Sequence, residues 1–113
     1  MLVRNATRDV ILGDCIDVAD TSSKRRTGLL KHTGLKRGEG LWIVPCEAVH
    51  TFGMKFPIDV VFLNRKRAVL KTRPNMGRRG ISMCLRAHSV IELPAGTIEA
   101  TGLRVGDQLE LER

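Results

Sequence analysis

Residues 50–63 read His50-Thr51-Phe52-Gly53-Met54-Lys55-Phe56-Pro57-Ile58-Asp59-Val60-Val61-Phe62-Leu63. The half from Ile58 to Leu63 is the short apolar run of a buried strand, yet it carries an acid. A carboxylate withdrawn from water needs a partner, a path to solvent or a proton. Asp59 is therefore expected to pair with Lys55, four residues earlier, or with Arg26 from a preceding helix. Arg26, His50, Thr51, Lys55 and Asp59 make up the candidate ligand-binding set. No catalytic residue is assigned. If the chain were an enzyme, His50 would be the acid–base group, with Asp59 beside it, since imidazole titrates nearest neutrality.

Outward from this strand, Asn64-Arg65-Lys66-Arg67 turns the chain into Ala68–Thr72, the most secure hairpin of the sequence. Leu41–Val44 is a second buried strand, stopped by Pro45, and Ser89–Leu93 is another strand, ended by Pro94. On the last of these, Glu92 is expected to face solvent or to cap a neighbouring loop. Leu2–Asn5 and Val10–Leu12 read as a first hairpin. Cys15–Val18 and Gln108–Glu112 alternate at period two, and residues 74–80 read as a loop.

One clear helix is expected after Asp20, Thr21 and Ser22, which offer capping oxygens. Gly34 is its C-terminal glycine, while Gly28 implies close packing or an earlier end. Thr97–Leu103 is short, one or two turns closed by Gly102. Strands outnumber helices and do not alternate with them, which argues against a parallel βαβ sheet. The fold class is mainly β: a compact antiparallel barrel or curled sheet with one short helix, α+β by strict count. A chain of 113 residues is expected to form a single domain, 1–113.

The residues assembled so far resemble a family of small bacterial and archaeal proteins. They are Arg26, Gly28 and Leu29 in the helix, then Gly40 to Ile43, then Phe52, Met54, Lys55 and Asp59. Val90-Ile91-Glu92-Leu93-Pro94-Ala95-Gly96 and the Gly106-Asp107 turn complete the set. The pattern, over roughly residues 20–110, is similar to domain of unknown function 192. The resemblance implies a small, mainly β domain and supplies no activity, substrate or cofactor. This chain departs from the pattern at Gly53, where relatives carry an aromatic, and at Phe56-Pro57, where they carry Asn-Thr. Ligand contacts there would differ.

Charge gives the partner class. The net charge is +7, and residues 24–86 hold 15 Lys/Arg against Glu39, Glu47 and Asp59. Such a field draws anions: an anionic small molecule, an acidic protein surface or nucleic acid. Nucleic acid would meet Lys24-Arg25-Arg26, Arg65-Lys66-Arg67 and Arg78-Arg79. With no Tyr, one Trp and three Phe, the chain is poor in the stacking platforms that single-strand binders use.

Two C-x3-H pairs, Cys46/His50 and Cys84/His88, supply a zinc alternative. Their separation is unlike finger spacing, and buried structural cysteine is the stronger reading. Three cysteines are too few for a disulfide framework and fit a reducing compartment. No apolar stretch is long enough for a membrane span, and the N-terminus lacks a signal-peptide core, so a cytoplasmic protein is expected. No phosphate-binding glycine loop is present, and neither Ser82 nor Ser89 lies in a nucleophile elbow. The expectation is thus a binding or accessory module with a polar groove at His50, Lys55 and Asp59 and no cofactor. The rivals are a hydrolase-like or metal-dependent enzyme and a nucleic-acid binder.

Overall fold

The structure is a computed structural model and describes all 113 residues. Its strands are β1 (Leu2–Asn5), β2 (Val10–Gly13), β3 (Cys15–Ala19), β4 (Glu39–Ile43) and β5 (Ala48–His50). They continue as β6 (Ile58–Leu63), β7 (Val69–Met76), β8 (Ile81–Met83), β9 (Ser89–Pro94) and β10 (Leu109–Glu112). The helices are α1 (Ser22–Thr27) and α2 (Thr97–Thr101).

The frame is a five-stranded sheet in the order β3-β4-β9-β6-β7, with β6 and β9 inside it. Every residue of β6 is buried, as is β9 from Ser89 to Leu93. The two faces of this sheet serve two cores. Val61, Leu63, Ile91, Leu93 and Trp42 meet Val3, Leu12 and Leu109 of a three-stranded sheet, β10-β1-β2, together with Ile98 of α2. On the opposite face Val60, Phe62, Val90 and Ile43 pack with Leu29, Val49 and Met54. Burial on both faces is why β6 reads as continuous apolar sequence rather than as alternation.

The mainly β expectation holds, in its curled-sheet form: no barrel closes. Three local readings need correction. The chain between β3 and β4 carries α1 across, and these two strands pair in parallel, Cys15 with Glu39 through Ala19 with Ile43. A single βαβ crossover therefore joins a sheet that is otherwise antiparallel. The helix itself stops at Thr27, because Gly28 takes φ +48° and donates to the Lys24 carbonyl. Gly34 plays no part in that ending. Its start is as expected, with the Thr21 hydroxyl accepting from Lys24 N at 3.1 Å. Finally, β7 runs on through Pro74 to Met76. Proline is tolerated there because β7 is an edge strand.

The two-stranded ribbon β5-β8 was not foreseen. Its strands are three residues each and pair only with one another, Ala48 with Met83 and His50 with Ile81. Its inner residues, Val49 and Ser82, are buried, while Ala48, His50, Ile81 and Met83 face outward.

Candidate functional site

Asp59 is wholly buried, but no cation reaches it. Its Oδ1 accepts the backbone N–H of Asn75 at 2.8 Å and its Oδ2 that of Ile98 at 2.8 Å. The expected pairing with Lys55 or Arg26 is replaced by these two main-chain donors. The physical demand was read correctly and the partner was not. Gly96 at the head of α2 has no side chain to cap it. The acid on β6 fills that role and meets an orphan amide where the helix carries partial positive charge.

Thr51 is also buried, and its hydroxyl accepts from Gly80 N at 2.7 Å and donates to the Gly77 carbonyl. It holds the loop before β8 against the chain leaving β5. Lys55 is exposed, and its carbonyl accepts from Arg78 at 3.4 Å. Of the sequence-derived set, only Arg26 and His50 come together, on the lining of one cleft. Thr51, Lys55 and Asp59 do not line it.

That cleft, of about 620 Å³, opens between α1 and the second face of the large sheet. Leu29, Ile43, Val49 and Met54 form its apolar walls, and Arg25, Arg26 and His50 bring basic groups to it. Arg25 makes two long contacts, to the Asp20 carbonyl at 3.3 Å and to Ser22 Oγ at 3.5 Å. Arg26 is exposed and His50 tilts over Phe52 with ring centroids 5.6 Å apart.

Glu92 is the group that sequence reasoning placed wrongly. It is 5% exposed and lines the cleft rather than facing bulk solvent. It pairs with Leu41 and Val60 across β4 and β6, on the face opposite Asp59. Desolvation pushes its carboxyl up to about 7, and no hydrogen bond or cation offsets that push. The expectation of a solvent-facing Glu92 failed because β9 lies between β4 and β6 and has no solvent face. The usable signal was that β9 carries apolar residues at both parities, so any acid on it is interior.

Cys46 borders the same cleft and donates to the Ala48 carbonyl at 3.2 Å. Burial pushes its thiol up, and the nearby Glu92 charge adds to the effect. A raised thiol is poorly suited to act as a nucleophile at neutral pH. No three His, Cys, Asp or Glu side chains gather at one point, so Cys46, His50, Cys84 and His88 do not form a common ligand set. His50 is carried outward on β5, whereas Cys46 turns its sulfur to its own backbone. The basic clusters are also dispersed: Lys24–Arg26 on α1, Arg65–Arg67 at the β6–β7 turn and Arg78-Arg79 before β8. No helix is long and apolar enough to cross a membrane.

With this geometry in hand, comparison with known proteins gives the lineage. Residues 3–111 match DUF192, described as "Uncharacterized ACR", and the chain belongs to that family. The UPF0127 protein of Thermococcus sibiricus is 28% identical over 113 residues, 96% of this chain and 73% of that protein. The UPF0127 protein of Pyrococcus furiosus is 33% identical over 100 residues, 84% of each. A crystal structure of a protein of unknown function from Novosphingobium aromaticivorans superposes with a TM-score of 0.83 at 20% identity, covering 97% of this chain and 82% of that one. One from Sinorhizobium meliloti, provisionally named a transcription regulator, gives 0.83 at 21% identity, covering 96% and 89%. At these identities the two structures establish the shared fold.

Proposed function

We propose that this DUF192 member is a binding module for a small anionic ligand, held in the cleft between α1 and the β4–β9 face. The observation that carries the reading is the cleft lining: Arg25, Arg26 and His50 share it with the apolar side chains Leu29, Ile43, Val49 and Met54, and the buried Glu92 carboxyl lies there too without a protein partner. A carboxyl so far withdrawn from bulk water, with only the cleft for its oxygens to meet, gains from a ligand that brings it a donor. A pocket with apolar walls and a few convergent polar groups is the usual form of a small-molecule site. The basic groups draw an anionic head, and Leu29, Ile43 and Val49 accept an apolar body.

This moves the groove expected at His50, Lys55 and Asp59. His50 remains in it, and Asp59 belongs to the structural frame. The reading favours binding over turnover, because Cys46 has a raised thiol and Asp59 is fully engaged by main-chain amides. Calorimetric titration with hexanoate and hexyl phosphate tests it. Both probes are expected to bind, and the double variant Arg25→Gln/Arg26→Gln is expected to weaken them at least tenfold. Equal affinity in wild type and variant, or no binding of either probe to the wild type, overturns the reading.

A further inference from the structure

We infer that the ligand is dipolar: an anion at one end meets Arg25 or Arg26, an amine or other nitrogen donor at the other meets Glu92, and an apolar spacer joins them. The inference rests on the cleft being the binding site and deepens it by naming the ligand class. Two facts together carry it. Glu92 is nine-tenths buried and lacks any protein donor, although basic side chains line the same cleft. Those basic side chains do not close onto it: neither arginine of α1 forms an ion pair with Glu92, and Arg25 instead spends its contacts on Asp20 and Ser22. Opposite charges that share a cleft without meeting leave a gap for a molecule that carries the complement of each.

Beside these charged groups the cleft offers apolar side chains, Leu29, Ile43, Val49 and Met54. A ligand with polar groups along its middle would leave them unpaired there, a loss that buried sites discriminate against strongly. A simple anion would satisfy the arginines and leave Glu92 as it was. An alkylamine would do the reverse. A molecule of the ω-amino-acid type satisfies both, and a volume of about 620 Å³ is ample for one.

The pH dependence separates the cases. An ammonium binds the ionised form of Glu92, so affinity rises with pH and a proton is released. A purely anionic ligand prefers the protonated form, so its affinity falls. The other charged or titratable groups lining this site are Arg25 and Arg26 from α1, Cys46 from the segment after β4 and His50 from β5, with Glu47 outside the lining but near enough to act on the Cys46 thiol. His50→Gln supplies a background in which the imidazole contributes no slope.

The test is calorimetry with 6-aminohexanoate, hexanoate and hexylamine on the intact protein between pH 6 and pH 8. The dipolar probe is expected to bind at least tenfold tighter than either single-ended probe. Glu92→Gln is expected to abolish that advantage and the rise with pH while preserving hexanoate binding. Arg26→Gln combined with Arg25→Gln should keep hexylamine binding, which shows that the floor of the cleft survives the substitution. If hexanoate equals 6-aminohexanoate and Glu92→Gln changes neither, the dipolar assignment is wrong while the anion-binding reading stands. If none of the three probes binds the wild type, both fall.

Discussion

Asp59 and Ile98 are joined by a 2.8 Å hydrogen bond in which the Ile98 amide donates to the carboxylate across 39 residues of sequence. The other carboxylate oxygen holds the Asn75 amide at 2.8 Å. One side chain thus ties the start of α2 and the far end of β7 to the interior strand β6. Asp59→Ala strands two main-chain donors, each costing about 1–3 kcal/mol when buried without a partner. The expected loss is about 2–5 kcal/mol in urea denaturation. Asp59→Asn should lose less, because it keeps one acceptor oxygen. An unchanged midpoint for the alanine variant would show that water replaces the carboxylate freely.

Glu92 makes stability depend on pH with a defined sign. Its native value is about 7 against an ordinary 4.5, so between these limits the folded chain keeps a proton that the unfolded chain has released. Its contribution is greatest below pH 4.5, falls as pH rises and levels off above about 7. The full swing is about 3 kcal/mol as an upper estimate. Glu92→Gln does not titrate, so the stability of the variant relative to wild type should climb by up to that amount from pH 4.5 to pH 8. A relative stability that is flat with pH would reveal a counter-charge on Glu92.

Thr51 secures the loop between β7 and β8 through its hydroxyl, which serves both Gly77 and Gly80. Thr51→Val keeps the shape and removes both bonds. The expected cost is about 1–3 kcal/mol, since the Gly80 amide is left with no side-chain acceptor. Amide hydrogen exchange should accelerate most at Gly80 and less in β6. Uniform acceleration across the chain would mean that the loop has no local stability of its own to lose.

How far the sequence carried depends on whether the governing contact is local. Ile58–Leu63 was legible as a strand because its apolar run and the following turn are adjacent in sequence. The need of Asp59 for partners was legible from the same run. The partners were not, since they are main-chain amides of Asn75 and Ile98 and main-chain groups leave no trace in composition. Glu92 was misread because the number of neighbours flanking β9 is a property of the sheet and not of five residues. The ribbon β5-β8 escaped because its strands are too short to show a period. Gly28, by contrast, already signalled an early end to α1, and its positive φ is the reason.

Gly40 links the frame to the cleft. It lies on β4 beside β9, and a methyl group built there would stand 2.6 Å from the Glu92 carbonyl and 2.8 Å from Ile16 Cδ1. The first of these neighbours is backbone and cannot rotate away. Gly40→Ala must push β4 and β9 apart, and overpacking of this kind costs about 1–3 kcal/mol or more. The Leu41–Glu92 pairing sits next to the strain, so the carboxyl would shift relative to the cleft walls. The variant should lower the urea midpoint and also weaken binding of 6-aminohexanoate more than that of hexanoate, because only the former uses Glu92. Gly77→Ala, which meets nothing within 4 Å, is the control expected to leave both unchanged. A Gly40→Ala protein with wild-type stability would show that the strands have slack, and the close approach of β4 to β9 would then have no role in fixing the position of Glu92.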